Sequence, residues 1–273
     1  MSYFEVPGAR LYYETRGTGP LLLLIPGANG DANVFPRVAD LLAADFTVVT
    51  YDRRGYTRSA LDGAQDYAHR LETDADDARR LIEHLSDEPA AVFGTSSGGV
   101  IALQLLIDHP QAIRALVSFE PAAMRLLPDA EKWFAFFDEL YDLYRQSGPA
   151  PARTLFVQQC FPQVDHPIMS RAPEPERATT AMANANYFFE RELRQYTAVE
   201  LDMEKLSQRA GMIIPAMGLA SVGFPDGDIA RALSLRLGRD LLELPDGHVG
   251  YVTSSEEFAR RLVRRLKQET GNG

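Results

Sequence analysis

The chain has 273 residues, 45% of them hydrophobic and 24% charged, with a formal net charge of −10. That length and mixture suit one large α/β domain or two small ones and exclude a disordered chain. The acidic balance argues against a nucleic-acid partner, because phosphate binding needs a clustered positive surface, and the Arg79-Arg80 and Arg264-Arg265 pairs sit among acids on helix-like, solvated faces.

Taken in chain order, Val6 and residues 11–14 predict a hairpin turned at Pro7-Gly8. Residues 21–25 are a continuous apolar run, as expected of a strand buried on both faces. Residues 34–44 carry a helical pattern, and residues 46–51 form the next strand. A helix over 73–85 places Ala78, Leu81, Ile82 and Leu85 on one face; a strand at 91–93 follows. Residues 100–107 predict a helix that Asp108-His109-Pro110 stops, before a strand at 115–119. Strand and helix alternate, which implies a mostly parallel sheet with helices on both faces.

The alternation breaks at Pro121. From there to about residue 210 the pattern is helical, contains no convincing strand and is rich in aromatics, among them Trp133, Phe137, Phe156, Phe161, Phe188, Phe189 and Tyr196. It then resumes with a strand at 212–219, a helix at 229–237, a strand at 241–244 and a final helix at 256–266. The economical organisation is a core of residues 1–120 and 211–273 with a helical cap, residues 121–210, inserted between two strands. The single cysteine, Cys160, leaves no intrachain disulfide and no thiolate-rich metal site. The amino-terminal residues carry neither a basic region nor a long apolar stretch, and no apolar run is long enough to span a bilayer. A cytoplasmic protein without a membrane partner is the expectation.

Gly94-Thr95-Ser96-Ser97-Gly98 lies between a buried strand and an apolar helix, the setting of a nucleophile elbow. Glycines there remove Cβ atoms where strand and helix crowd, so that Ser96 can hold a strained backbone and project its hydroxyl. A hydroxyl needs a base within hydrogen-bond reach. Of the five histidines, His69, His84, His109 and His166 fall in charged helices, a helix-stop turn or the inserted segment. His248 follows the 241–244 strand through Pro245-Asp246-Gly247 and so reaches the carboxyl edge of the sheet, where Ser96 also emerges. The two oxyanion donors expected are the Ser97 N–H and the Ala28 N–H, the latter from the turn Pro26-Gly27-Ala28-Asn29-Gly30; the Asn29 side chain is the weaker choice.

With these segments and Tyr51-Asp52-Arg53-Arg54-Gly55 and Pro245-Asp246-Gly247-His248-Val249-Gly250, the chain resembles the α/β-hydrolase superfamily. The likeness runs from residue 21 to about 266 and is greatest to its esterase, lactonase and cofactor-free haloperoxidase-like branch. The resemblance implies a mostly parallel sheet flanked by helices, a helical lid, nucleophile Ser96, base His248 and oxyanion donors Ser97 and Ala28. It implies a structural role for Asp52-Arg53-Arg54-Gly55. Pro26 stands where a histidine is usual, which reshapes that loop but leaves its backbone donors. Relatives that open epoxides or cleave carbon–halogen bonds attack with a carboxylate at the elbow, and Ser96 excludes them as first readings. For the acid that orients His248, most of the family uses an Asp just past the strand after the lid, but here Ala220 to Phe224 hold no carboxylate. Some relatives take it from the preceding strand end, which points to Glu120 in Phe119-Glu120-Pro121. Asp226 reaching back, or no working acid, are the other possibilities, with Asp226 or Asp228 also expected to cap the helix near Ile229.

The expected function is cleavage of a carboxylic ester or lactone through an acyl-enzyme, on a small molecule with a hydrophobic or ring-containing part. The alternatives are a non-catalytic ligand-binding protein on the same scaffold, or cofactor-free perhydrolysis or decarboxylation. No Walker, dinucleotide or zinc motif is present, so no cofactor and no metal are expected.

Overall fold

A computed structural model describes residues 2–270 of the chain. Its centre is one sheet, built because short leucine-, valine- and alanine-rich runs bury both faces when strands lie parallel. The strands are β1 (Ser2–Val6), β2 (Ala9–Arg16), β3 (Leu21–Ile25), β4 (Thr47–Tyr51), β5 (Ala60–Leu61), β6 (Ala90–Thr95), β7 (Ile113–Phe119), β8 (Ile213–Gly218) and β9 (Leu242–Leu244). Their spatial order is β1-β2-β4-β3-β6-β7-β8-β9, with β5 beside β2. From β4 through β9 every neighbouring pair is parallel, whereas the entry hairpin joins β4 antiparallel.

The helices are α1 (Pro36–Leu42), α2 (Arg70–Leu85), α3 (Ser97–Asp108), α4 (Ala130–Ser147), α5 (Pro149–Cys160), α6 (His166–Met169), α7 (Ala178–Arg191), α8 (Leu193–Thr197), α9 (Met203–Gln208), α10 (Pro225–Leu237), α11 (Gly250–Thr253) and α12 (Ser255–Thr270). Side chains alternate across each strand, so Leu22 and Leu24 of β3 face α1 and α12, through Val38, Leu42, Phe258 and Leu262. Leu21, Leu23 and Ile25 enter the opposite core with α2, α3 and α10, through Leu81, Ile101, Leu105 and Leu233. Between β7 and β8 the chain supplies α4 to α9 and no strand among the described residues. Its apolar side chains, including Phe137, Leu140, Phe188 and Leu193, continue the α2–α3 core without a break. No helix among the described residues is long and apolar enough to cross a membrane.

Element positions differ from expectation chiefly at helix starts. Helix α2 begins at Arg70 rather than 73, and α10 begins at Pro225 rather than near 229. Asp226 and Asp228 therefore lie inside the first turn of α10 instead of capping it, and Phe224 occupies the N-cap without a side-chain bond. Pro225 at the first helical position explains the earlier start, since its fixed φ suits that position and its missing N–H costs nothing there. The two-residue β5 had no pattern of its own; it exists by pairing with β2.

Candidate active site

Ser96 follows β6 directly and precedes α3, with φ 54 and ψ −123. A side-chain-bearing residue tolerates that conformation only where its surroundings hold it. Here the crowding is severe: a Cβ on Gly94 would collide with the Gly98 carbonyl, and one on Gly98 with the Ile25 carbonyl. Only bare glycine lets strand, turn and helix pass so closely. Ser97 opens α3, and a first-turn N–H has no partner within its own helix, so it faces out of the helix end beside Ser96.

The second proposed oxyanion donor is set by the 52–55 loop. The Gly27 carbonyl accepts from Arg53 Nη2 at 2.8 Å and from the Gly30 N–H at 2.9 Å. In a trans peptide the next N–H points the opposite way, so Ala28 turns its N–H away from Arg53, and Ala28 lines the same cavity as Ser96. A Cβ on Gly27 would lie 2.9 Å from Ser96 Cβ, which shows how tightly this turn seats on the elbow. Asn29 is tied through its own carbonyl to Asn184 Nδ2 at 3.1 Å.

Arg53 is fully buried, and it is held by carboxylates from α2 and from the helical segment. It contacts Glu192 at 2.9 Å and Asp74 at 3.3 Å; Tyr56 Oη donates to Glu192 at 2.5 Å, and Tyr196 Oη to Asp74 at 2.5 Å. Arg54 makes a two-pronged pair with Asp77 at 2.7 Å on both oxygens. Asp52, also fully buried, accepts from the Ala32 N–H and from Arg58.

His248 lines the cavity with Ser96 and is 4% exposed. Its Nδ1 lies 2.6 Å from Glu120 Oε2, and the other Glu120 oxygen accepts the Gly218 N–H at 2.7 Å. Glu120 adopts φ 47 just past β7, which swings its carboxylate along the sheet edge toward β8 and the histidine. A carboxylate only accepts, so Nδ1 carries the proton and Nε2 is the ring nitrogen left free. Among the hydrogen bonds of the described residues, the His248 ring bonds to Glu120 and not to Ser96; such bonds are often unformed without substrate.

Two further carboxylates surround the histidine. Asp226 Oδ2 is 3.8 Å from Nδ1, and its Oδ1 is buried without a hydrogen-bond partner. Burial, opposed by His248 and reinforced by the Glu120 charge, pushes the Asp226 carboxyl up to about 7. Asp165, from the turn before α6, accepts the His248 backbone N–H at 2.7 Å and the Val249 N–H at 3.4 Å. A Cβ on Gly247 would strike that carboxylate, so the glycine is what lets it reach the backbone. Burial works against the charged imidazolium, but the Glu120 hydrogen bond and the charges of Glu120, Asp226 and Asp165 outweigh it and raise the His248 pKa.

The structure thus brings Ser96, Ser97, Ala28, His248 and Glu120 to one sheet edge, with Asp226 behind. The cavity there holds about 490 Å³ and is walled by Phe156, Val157, Phe161, Phe188 and Tyr251. Phe161 packs on the His248 ring, centroid to centroid 4.5 Å. Trp133, Phe136 and Phe137, by contrast, pack on one another in edge-to-face and tilted contacts within the helical segment. Sequence reading missed Asp165, because a carboxylate that holds backbone N–H groups 83 residues away leaves no local pattern. It also missed Arg153, another wall of the cavity.

A family model described as alpha/beta hydrolase fold matches residues 20–161. An uncharacterized hydrolase of Bacillus subtilis, YraK, is 36% identical over 271 residues, covering 97% of this chain and 95% of its own. Among solved structures, a thermophilic esterase from Thermogutta terrifontis superposes with TM-score 0.75 at 17% identity, over 99% of this chain and 100% of that one. The enol-lactonase from Burkholderia xenovorans LB400 superposes with TM-score 0.70 at 19% identity, over 97% and 100%. At such identities the two superpositions speak to the fold alone.

Proposed function

This chain belongs to the α/β-hydrolase family, and from that premise we propose that it is a serine hydrolase that cleaves a carboxylic ester or lactone through an acyl-enzyme. The observation that carries the reading is the shared cavity of Ser96, held on a strained elbow, and His248, whose Nδ1 is bonded to Glu120 at 2.6 Å. His248 Nε2 takes the Ser96 proton as Oγ attacks the carbonyl carbon, while Glu120 holds the ring tautomer and offsets the imidazolium charge. Ser97 and Ala28 N–H groups receive the oxyanion. Collapse of the tetrahedral intermediate expels the alkoxide, which takes the proton back from His248; the histidine then activates water to release the acid. A cavity near 490 Å³ with aromatic walls suits a small, partly hydrophobic molecule. In this reading residues 121–210 act as a cap that shapes the cavity, since Phe156, Phe161 and Phe188 come from it.

The test is turnover of a short-chain chromogenic ester together with a serine-directed phosphonate and mass spectrometry. A covalent adduct on Ser96, with turnover that falls by orders of magnitude in Ser96→Ala, is the expected result. Reversible ligand binding without an adduct or turnover would favour a binding protein on this scaffold instead.

A further inference from the structure

The charged side chains that line the Ser96–His248 cavity do not cancel. Three arginines face it, Arg153, Arg171 and Arg177, with two acids, Asp31 and Glu174. Arg171 is paired with Glu174 at 3.0 Å, and Arg177 with Asp31 at 3.7 Å. Arg153 is half-buried and has no carboxylate partner among the described residues; one nitrogen, Nη2, donates to the Met169 carbonyl at 2.5 Å. Burial lowers its pKa, and no acid opposes that shift. In a chain with 38 acidic residues against 28 basic ones, an arginine left unpaired beside Phe156 and Val157 is a costly placement. The buried arginines of the loop after β4, Arg53 and Arg54, are by comparison matched to carboxylates. What the cavity lacks is one anion, and the planar guanidinium fork suits a planar carboxylate, as it does a phosphate.

We propose that Arg153 binds a carboxylate of the substrate, so that the molecule cleaved at Ser96 carries a free acid group several bonds from its scissile carbonyl. This rests on the serine-hydrolase reading for the reaction but not for the binding. The spacing follows from helix α5. Arg153 lies seven residues before Cys160, the last residue of α5, about 10 Å along the helix at 1.5 Å rise, and Phe161, the ring that packs on His248, follows directly. Arg153 and the ring on His248 thus stand most of the length of α5 apart, so acid group and reacting carbonyl are separated by several bonds. A dicarboxylic acid esterified at one end, or a lactone with a carboxylated side arm, meets that description.

The experiment uses the full chain and two readouts. The first is kcat/KM for p-nitrophenyl hemi-esters of succinic, adipic and suberic acids, each compared with its neutral methyl ester. The second is calorimetric binding of adipate, which cannot be turned over. We expect the hemi-esters to be preferred, with the adipate or suberate spacing ahead of succinate. In Arg153→Met that preference and adipate affinity should both fall by about tenfold or more, the scale of a lost charged hydrogen bond. Arg153→Lys, which keeps the charge without the fork, should fall between, and thermal melting of both variants checks that they are folded. Equal use of charged and neutral esters by the wild type, with adipate bound no better than by Arg153→Met, overturns the proposal even when the phosphonate labels Ser96. Conversely, Arg153-dependent adipate binding without any Ser96 adduct leaves the carboxylate site standing and sinks the hydrolase reading.

Discussion

Glu120→Gln exposes the logic of the histidine site most directly. Glu120 uses both oxygens, one toward His248 Nδ1 at 2.6 Å and one accepting the Gly218 N–H at 2.7 Å. A glutamine amide has one oxygen and one NH2 group. If the oxygen stays on Gly218, the NH2 faces Nδ1 and forces the proton to Nε2, the tautomer that cannot accept the Ser96 proton. If the oxygen faces Nδ1, two N–H donors oppose each other in a buried place, at a cost of about 1–3 kcal/mol. Either way the imidazolium loses its counter-charge, and an amide in place of such a carboxylate costs about 10⁴ in kcat. Asp226 softens this outcome. It stands 3.8 Å from Nδ1, and the Glu120 charge is one of the causes that keep its carboxyl up at about 7. Removing that charge lets Asp226 ionise more readily and serve as the counter-charge. The single variant should therefore lose about 10² to 10³ in kcat, and the Glu120→Gln/Asp226→Asn pair about 10⁴. The assay is kcat/KM on a chromogenic ester from pH 5 to 10 for wild type, both single variants and the double. A His248 pKa raised above its usual 6.5 moves the acidic limb of the wild-type profile upward, because the base works deprotonated, and Glu120→Gln should bring that limb back down. A loss below about tenfold in Glu120→Gln, with no further loss in the double variant, would refute the reasoning.

Two other predictions concern stability. Asp226→Asn removes a carboxyl whose folded pKa, about 7, lies above its ordinary 3.8. A raised acid favours the folded state below its unfolded pKa and loses that contribution as pH rises through the folded one, so wild type weakens between about pH 4 and 7. The Tm advantage of Asp226→Asn should grow across that window and level off above it, as melting curves at graded pH will show; a pH-independent difference contradicts the assignment. Glu192→Gln withdraws the charge shared by Arg53, Tyr56 and Arg70 in a fully buried cluster, and breaking such a pair costs about 3–5 kcal/mol. Urea unfolding that changes by less than about 1 kcal/mol would show the cluster to be dispensable.

The sequence alone determined the alternation of buried runs and amphipathic helices, and hence the parallel sheet and its two covered faces. It also determined the elbow, because Gly94, Ser96 and Gly98 within five residues of a strand end announce a local steric problem that only a tight strand–helix turn solves. Local geometry of that kind has period and spacing, which a single chain displays. The partnership of Glu120 with His248, 128 residues apart, came from a resemblance combined with strand ends, and only the folded chain sets it at 2.6 Å beside Asp226. Nothing in the chain's local pattern could place Asp165 under the His248 backbone, bind Arg53 to Glu192, or leave Arg153 without an acid. Those outcomes depend on which loops meet at one sheet edge and on how burial strengthens each charge once water is excluded. Contact and desolvation belong to the tertiary structure, and the electrostatics of this site follows from them.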